Sequence, residues 1–174
     1  MKHVFQSLAI LILGFGLAAC GSESPTSPSA VSTEKFTAML LPVNEVPPIT
    51  DNEARGSATA TITFNLTKDS QGYVTAASMD VSGSATGFPS GTALTKAHIH
   101  PGSAGANGGV FVNVGLADGE VTFPSGGGSF SKTAIALTVD QANAILANSS
   151  GFYFNIHTAR HPDGVARGQL ARTQ

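Results

Sequence analysis

Tryptophan is absent from the 174 residues, tyrosine occurs twice and cysteine once. A single cysteine excludes an internal disulfide, so packing or a metal ion must stabilise whatever folds here. Without tryptophan, and with so little tyrosine, a large aromatic recognition patch has few residues to be made from. Charge is also sparse: Asp, Glu, Lys and Arg make up 11 % of the chain and the formal net charge is −2. No basic run appears, which speaks against nucleic-acid binding and against a polybasic membrane contact. The glycines after residue 101 precede no helix pattern and form no phosphate loop, and Ser103 sits in no nucleophile motif.

One long apolar stretch exists, and it is at the N-terminus. "MKHVFQSLAILILGFGLAAC" has a basic start, an apolar centre and a small-residue end, the pattern of a signal peptide. The apolar core from Leu8 to Leu17 is too short for a stable transmembrane helix. Leu17-Ala18-Ala19-Cys20 resembles the bacterial lipobox, which gives the lone cysteine a role as the lipidated residue after cleavage. Gly21 follows where inner-membrane lipoproteins carry Asp, which points to the outer membrane. Residues 21–34, "GSESPTSPSAVSTE", are Ser/Pro/Thr-rich and read as a tether. The expected organisation is a signal peptide over 1–19, lipidated Cys20 and tether over 20–34, and one domain over 35–174. The expected location is the cell envelope, with the lipid as the membrane contact.

The domain reads as strands. In "GSATATITFNLT", Ala58, Ala60, Ile62, Phe64 and Leu66 share one face and the threonines the other. "GYVTAASMDVSG" follows across a turn, as in a hairpin. "KAHIH", "GVFVNVG" (Val110, Val112 and Val114 inward), "EVTF", "GSFSKTAIAL", "GFYFNIHT" and "GVARGQLA" continue the pattern. Glu45-Val46-Pro47-Pro48 reads as an edge strand ended by prolines. One helix is expected, over "TVDQANAILAN", with Thr138 and Gln141 as a capping box. Many short strands and one short helix define an all-β class: an antiparallel sandwich or barrel.

Four of the five histidines fall in two segments, "AHIHPGSAGANGG" and "FYFNIHTARHPDG". On a strand, His98 and His100 point to one face and Ile99 to the core. His157 lies opposite the apolar face of Phe152, Phe154 and Ile156; His161 begins a turn. Imidazole is the commonest metal ligand, so His98, His100, His157 and His161 are candidate ligands for Zn²⁺ or Cu²⁺. Asp163 and Glu45 could supply oxygen or outer contacts. The same histidines could instead hydrogen-bond backbone carbonyls and brace the loops. Arg167 could ion-pair with Glu45 or Asp163.

"FTAMLLPVNEVPPI", "AHIHPGSAGANGG" and "FNIHTARHPDGVARGQL", in this order, resemble the chordin-domain (CHRD) family over about residues 35–172. Val165 stands where that family usually carries an acidic residue. The resemblance implies an immunoglobulin-like β domain and a binding or structural module. Two alternatives remain open at this stage. One is a copper-dependent enzyme similar to superoxide dismutase, although four histidines are too few for that family's two-metal site. The other is a protein–protein interaction module.

Overall fold

Period-two alternation builds this domain. In the computed structural model, which describes residues 29–173, strand β2 (Ser57–Lys68) buries Ala58, Ala60, Ile62, Phe64 and Leu66 and turns its threonines outward. It pairs along its whole length with β1 (Ala30–Leu40) on one side and β3 (Val74–Thr86) on the other. Strands β7 (Gly128–Leu137) and β10 (Ala171–Thr173) complete a five-stranded antiparallel sheet, in the order β10-β1-β2-β3-β7.

The second sheet is built on β4 (Thr92–Pro101) and β8 (Phe152–Thr158), with β9 (Ala166–Gln169) beyond β8. Two short strands, β5 (Val112–Asn113) and β6 (Val121–Phe123), both pair with β4. The apolar faces of the two sheets meet in one core. Phe36, Phe64, Phe123 and Phe154 are fully buried in it, and the Phe36 and Phe64 rings lie 4.9 Å apart. The architecture is therefore the all-β sandwich expected.

Helix α1 (Val139–Ala147) begins at the capping box: Thr138 accepts from the Gln141 N–H while the Gln141 side chain accepts from the Thr138 N–H. Its Ala142 and Ile145 enter the core. β7 changes face along its length. Phe130 is buried at an even position and Ile135 and Leu137 at odd ones, because a bulge intervenes opposite Met79–Val81. Ala134 takes a positive φ of 56° there, and the Asp80 carboxylate accepts its N–H at 2.9 Å.

Three expectations are corrected. β1 begins at Ala30, not Lys35, because Ala30–Glu34 pair with Phe64–Lys68; the tether reading fails over those residues. Val110 is exposed: the chain bends at Phe111, and only Val112 and Val114 turn inward. Glu45–Pro48 is no edge strand; it continues from a 3₁₀ turn at Pro42–Asn44 and forms a loop over the second sheet. The signal peptide, Cys20 and the first part of the tether lie outside the described residues.

Candidate metal centre

The outer face of the second sheet is polar, and apart from the exposed Lys96 the residues around its histidines are buried. Register places His98 opposite Asn155, His100 opposite Tyr153 and Lys96 opposite His157, with Arg167 beside Asn155 on the far strand. Strand parity therefore gathers Lys96, His98, His100, Tyr153, Asn155, His157 and Arg167 on one face. The loops at 41–50, 101–110 and 159–164 roof this face. His98, His100, His157, Asn155 and Arg167 are each less than a tenth exposed.

A buried polar face requires partners for its polar atoms. His157 Nδ1 lies 2.8 Å from the Pro162 carbonyl oxygen, and His100 Nδ1 lies 2.9 Å from the Gly108 carbonyl oxygen. A carbonyl only accepts, so each Nδ1 donates, and each neutral ring then keeps a bare lone pair at Nε2. Both Nε2 atoms turn inward. His157 Nε2 stands 2.9 Å from His98 Nδ1, and the ligand nitrogens of the three histidines lie within 4.8 Å of one another. His100 stacks on Tyr153 at 5.0 Å, almost parallel, and the Tyr153 hydroxyl accepts the Gly108 N–H at 3.3 Å.

Burial disfavours the charged form of His98 and of His157. The loss of solvent, reinforced by His157, His100 and Lys96, lowers the pKa of His98 to about 4. Burial also lowers that of His157, against the opposing pull of the Pro162 carbonyl. Neutral imidazoles are the form a metal ion requires, and the Nδ1 contacts fix the tautomers of His100 and His157.

The cluster opens into a cleft of about 500 Å³ lined also by Glu45, Lys96, Tyr153 and Asp163. Glu45 is buried; desolvation raises its pKa to about 7 although the Arg167 charge pulls it down. Its Oε2 is 3.9 Å from Arg167 Nε, which decides between the two partners foreseen for that arginine. Arg167 also donates to the Asn44 and Ala106 carbonyls and to Asn107 Oδ1, and lies 4.6 Å from the centre of the Tyr153 ring. It thereby ties the first two roof loops to the sheet.

Two glycines make the roof fit. Any side chain at Gly108 would collide with the Pro101 carbonyl oxygen. At Gly164, where φ is +133°, a Cβ would stand 2.8 Å from both Asn155 Nδ2 and Glu45 Oε1.

His161 does not join the other three histidines. Its Nε2 lies 3.1 Å from Asp51 Oδ2 and 3.7 Å from Glu53 Oε2, where it pins the 3₁₀ turn at Asn52–Arg55 to the end of β8. The turn at 158–161 carries its ring away from the sheet face, so parity with His157 no longer applies. Asp163 and Glu45 line the cleft but stand outside the three-residue cluster. Asn155 was not foreseen as a site residue, although the same parity that placed His157 on this face placed Asn155 there too.

An antiparallel sandwich with a roofed histidine cluster on one sheet defines the class: an all-β module with a site suited to a small ion. The model of the CHRD domain matches residues 36–170, and the chain belongs to that family. No curated protein and no solved structure matches it. Val165, at the position where an acidic residue had been expected from the resemblance, is fully buried in the core.

Proposed function

We propose that the domain is a metal-binding module of the cell envelope, holding one Zn²⁺ or Cu²⁺ ion through His98, His100 and His157. One observation carries this reading: three buried imidazoles converge, and in two of them a carbonyl on Nδ1 leaves Nε2 free to ligate. Loop bracing alone would account for the Nδ1 contacts. A His98 Nδ1–H bond to His157 Nε2 would satisfy one more pair, but His100 Nε2 would still face the Asn155 amide oxygen in a buried space, where an unpaired lone pair is costly.

The chemistry of the donors suits borderline transition metals and not Ca²⁺ or Mg²⁺, which take oxygen. In a tetrahedral site with Zn–N near 2.0–2.1 Å, ligand atoms stand about 3.3 Å apart. The 2.9 Å between His98 Nδ1 and His157 Nε2 is within a few tenths of that. To bind through Nδ1, His98 must carry its proton on Nε2. Lipid attachment at Cys20 is the second half of the proposal and is supported by the lipobox.

The test is a thermal melt of metal-stripped wild type, His100→Ala and His157→Ala, with and without Zn²⁺ or Cu²⁺. A ligand at a hundred times its Kd adds about 2.7 kcal/mol, roughly 5–10 °C for a domain of this size. Wild type should gain that much and the variants little. An equal response in all three proteins, or none in wild type, rejects the site.

A further inference from the structure

Asn155 is 2 % exposed, and its Oδ1 stands 3.1 Å from His100 Nε2 and 3.0 Å from His157 Nε2. Both of those nitrogens carry lone pairs, because both Nδ1 atoms donate to carbonyls. Two lone pairs and an amide oxygen therefore face one another; a proton on His98 Nδ1 would serve His157 Nε2, 2.9 Å away, but would leave His100 Nε2 facing the amide oxygen. Three arrangements could relieve this. A proton on one ring would bond that ring to the amide oxygen and leave the other ring's lone pair facing it. The amide could turn, so that Nδ2 donates to both rings. Or a cation could sit among the three acceptors.

The surroundings favour the cation. With its oxygen toward the histidines, the amide directs Nδ2 at Gly164, where the missing Cβ leaves room. Glu45 Oε1, a buried acceptor without a hydrogen-bond partner, borders the same point. Where Glu45 is ionised, a turned amide would place a second acceptor beside that orphaned one and draw the NH₂ group away from it.

We propose that Asn155 is the fourth ligand of the centre, through Oδ1, which makes it a neutral set of three nitrogens and one oxygen. This rests on the histidine reading above and adds a ligand to it. A neutral amide is a weaker donor than a carboxylate, so the centre keeps the full charge of its ion and can be strengthened at this one position.

The experiment uses the full chain, metal-stripped, with Zn²⁺ affinity measured by competition against a chromophoric chelator. Cu²⁺ serves as the spectroscopic probe. Asn155→Asp should tighten Zn²⁺ binding and Asn155→Leu should weaken it, each by about tenfold or more. The Cu²⁺ EPR parameters should change in Asn155→Asp. Metal-free melts report whether each variant is folded; should Asn155→Leu fail to fold, the affinity and spectrum of Asn155→Asp decide. If wild type binds metal and both variants bind with wild-type affinity and an unchanged spectrum, Asn155 is no ligand and the three histidines act alone. If Asn155→Asp binds as weakly as Asn155→Leu, the amide served as a donor and the inference also falls. If wild type binds neither metal, this inference fails together with the reading beneath it.

Discussion

Two buried groups in the cleft titrate in opposite senses, and this gives the metal-free protein a pH profile of defined shape. His98 has its pKa lowered from 6.5 to about 4, so between those values the unfolded chain binds a proton that the folded one refuses. Stability from this source is lost as pH falls from 6.5 toward 4. Glu45 has its pKa raised from 4.5 to about 7, so the folded protein holds a proton that the unfolded chain releases. That contribution is present below 4.5 and is lost as pH rises through 7. The two effects oppose one another between 4.5 and 6.5, and only Glu45 acts above. Urea titrations across pH 4–8 should therefore show stability of wild type falling between about 6 and 7.5. In Glu45→Gln that decline should vanish while the acid limb remains. Parallel profiles for the two proteins would refute the assignment. The lowered pKa values also mean that protons compete with a metal at His98 and His157 only below the usual imidazole range.

At the level of strands, β8 is the element on which both the core and the site depend. Its even positions, Phe152, Phe154 and Ile156, fill the sandwich, and its odd positions, Tyr153, Asn155 and His157, form the floor of the cleft. Phe154 is fully buried opposite Ile99. Phe154→Ala should cost about 3–5 kcal/mol by urea titration. A loss under about 1 kcal/mol would mean that the site strand is held by its polar face and not by the core. Alternation made this strand legible from residues alone, as it did β2 and the outward pair His98 and His100. The capping box did the same for α1. The roof was not legible. Alternation assigns a residue to a face but says nothing of what covers that face. Burial of the histidines comes from loops whose contacts, such as Arg167 to Asn44 and Asn107, join distant parts of the chain. His161 was misplaced for the same reason: its partner Asp51 is 110 residues away in sequence. The early start of β1 was hidden by the Ser/Thr-rich composition it shares with a tether.

Across the whole molecule, the proposed anchor and the proposed metal centre are separable. β1 starts at Ala30, so its first residue is ten steps along the chain from Cys20. Fully extended, that chain spans no more than about 35 Å. The domain would stay close to the bilayer. Cys20→Ser should move the protein from the membrane fraction to the soluble one, or halt its processing, while leaving the melt of the purified domain unchanged. Wild-type protein found soluble, with no acyl mass, would reject the anchor.

The pairing of Lys35–Thr37 with Ala171–Thr173 has a consequence for biogenesis. The first described strand finds one of its neighbours only in the last, and Asn155, His157 and Arg167 arrive in the final fifth of the chain. Such long-range closure is slow relative to local structure formation. A ribosome or a translocon would therefore have to release the chain through His157 before the three imidazoles could meet. Capture of a metal by the proposed centre would follow the emergence of β8 and would take place in whichever compartment receives that strand.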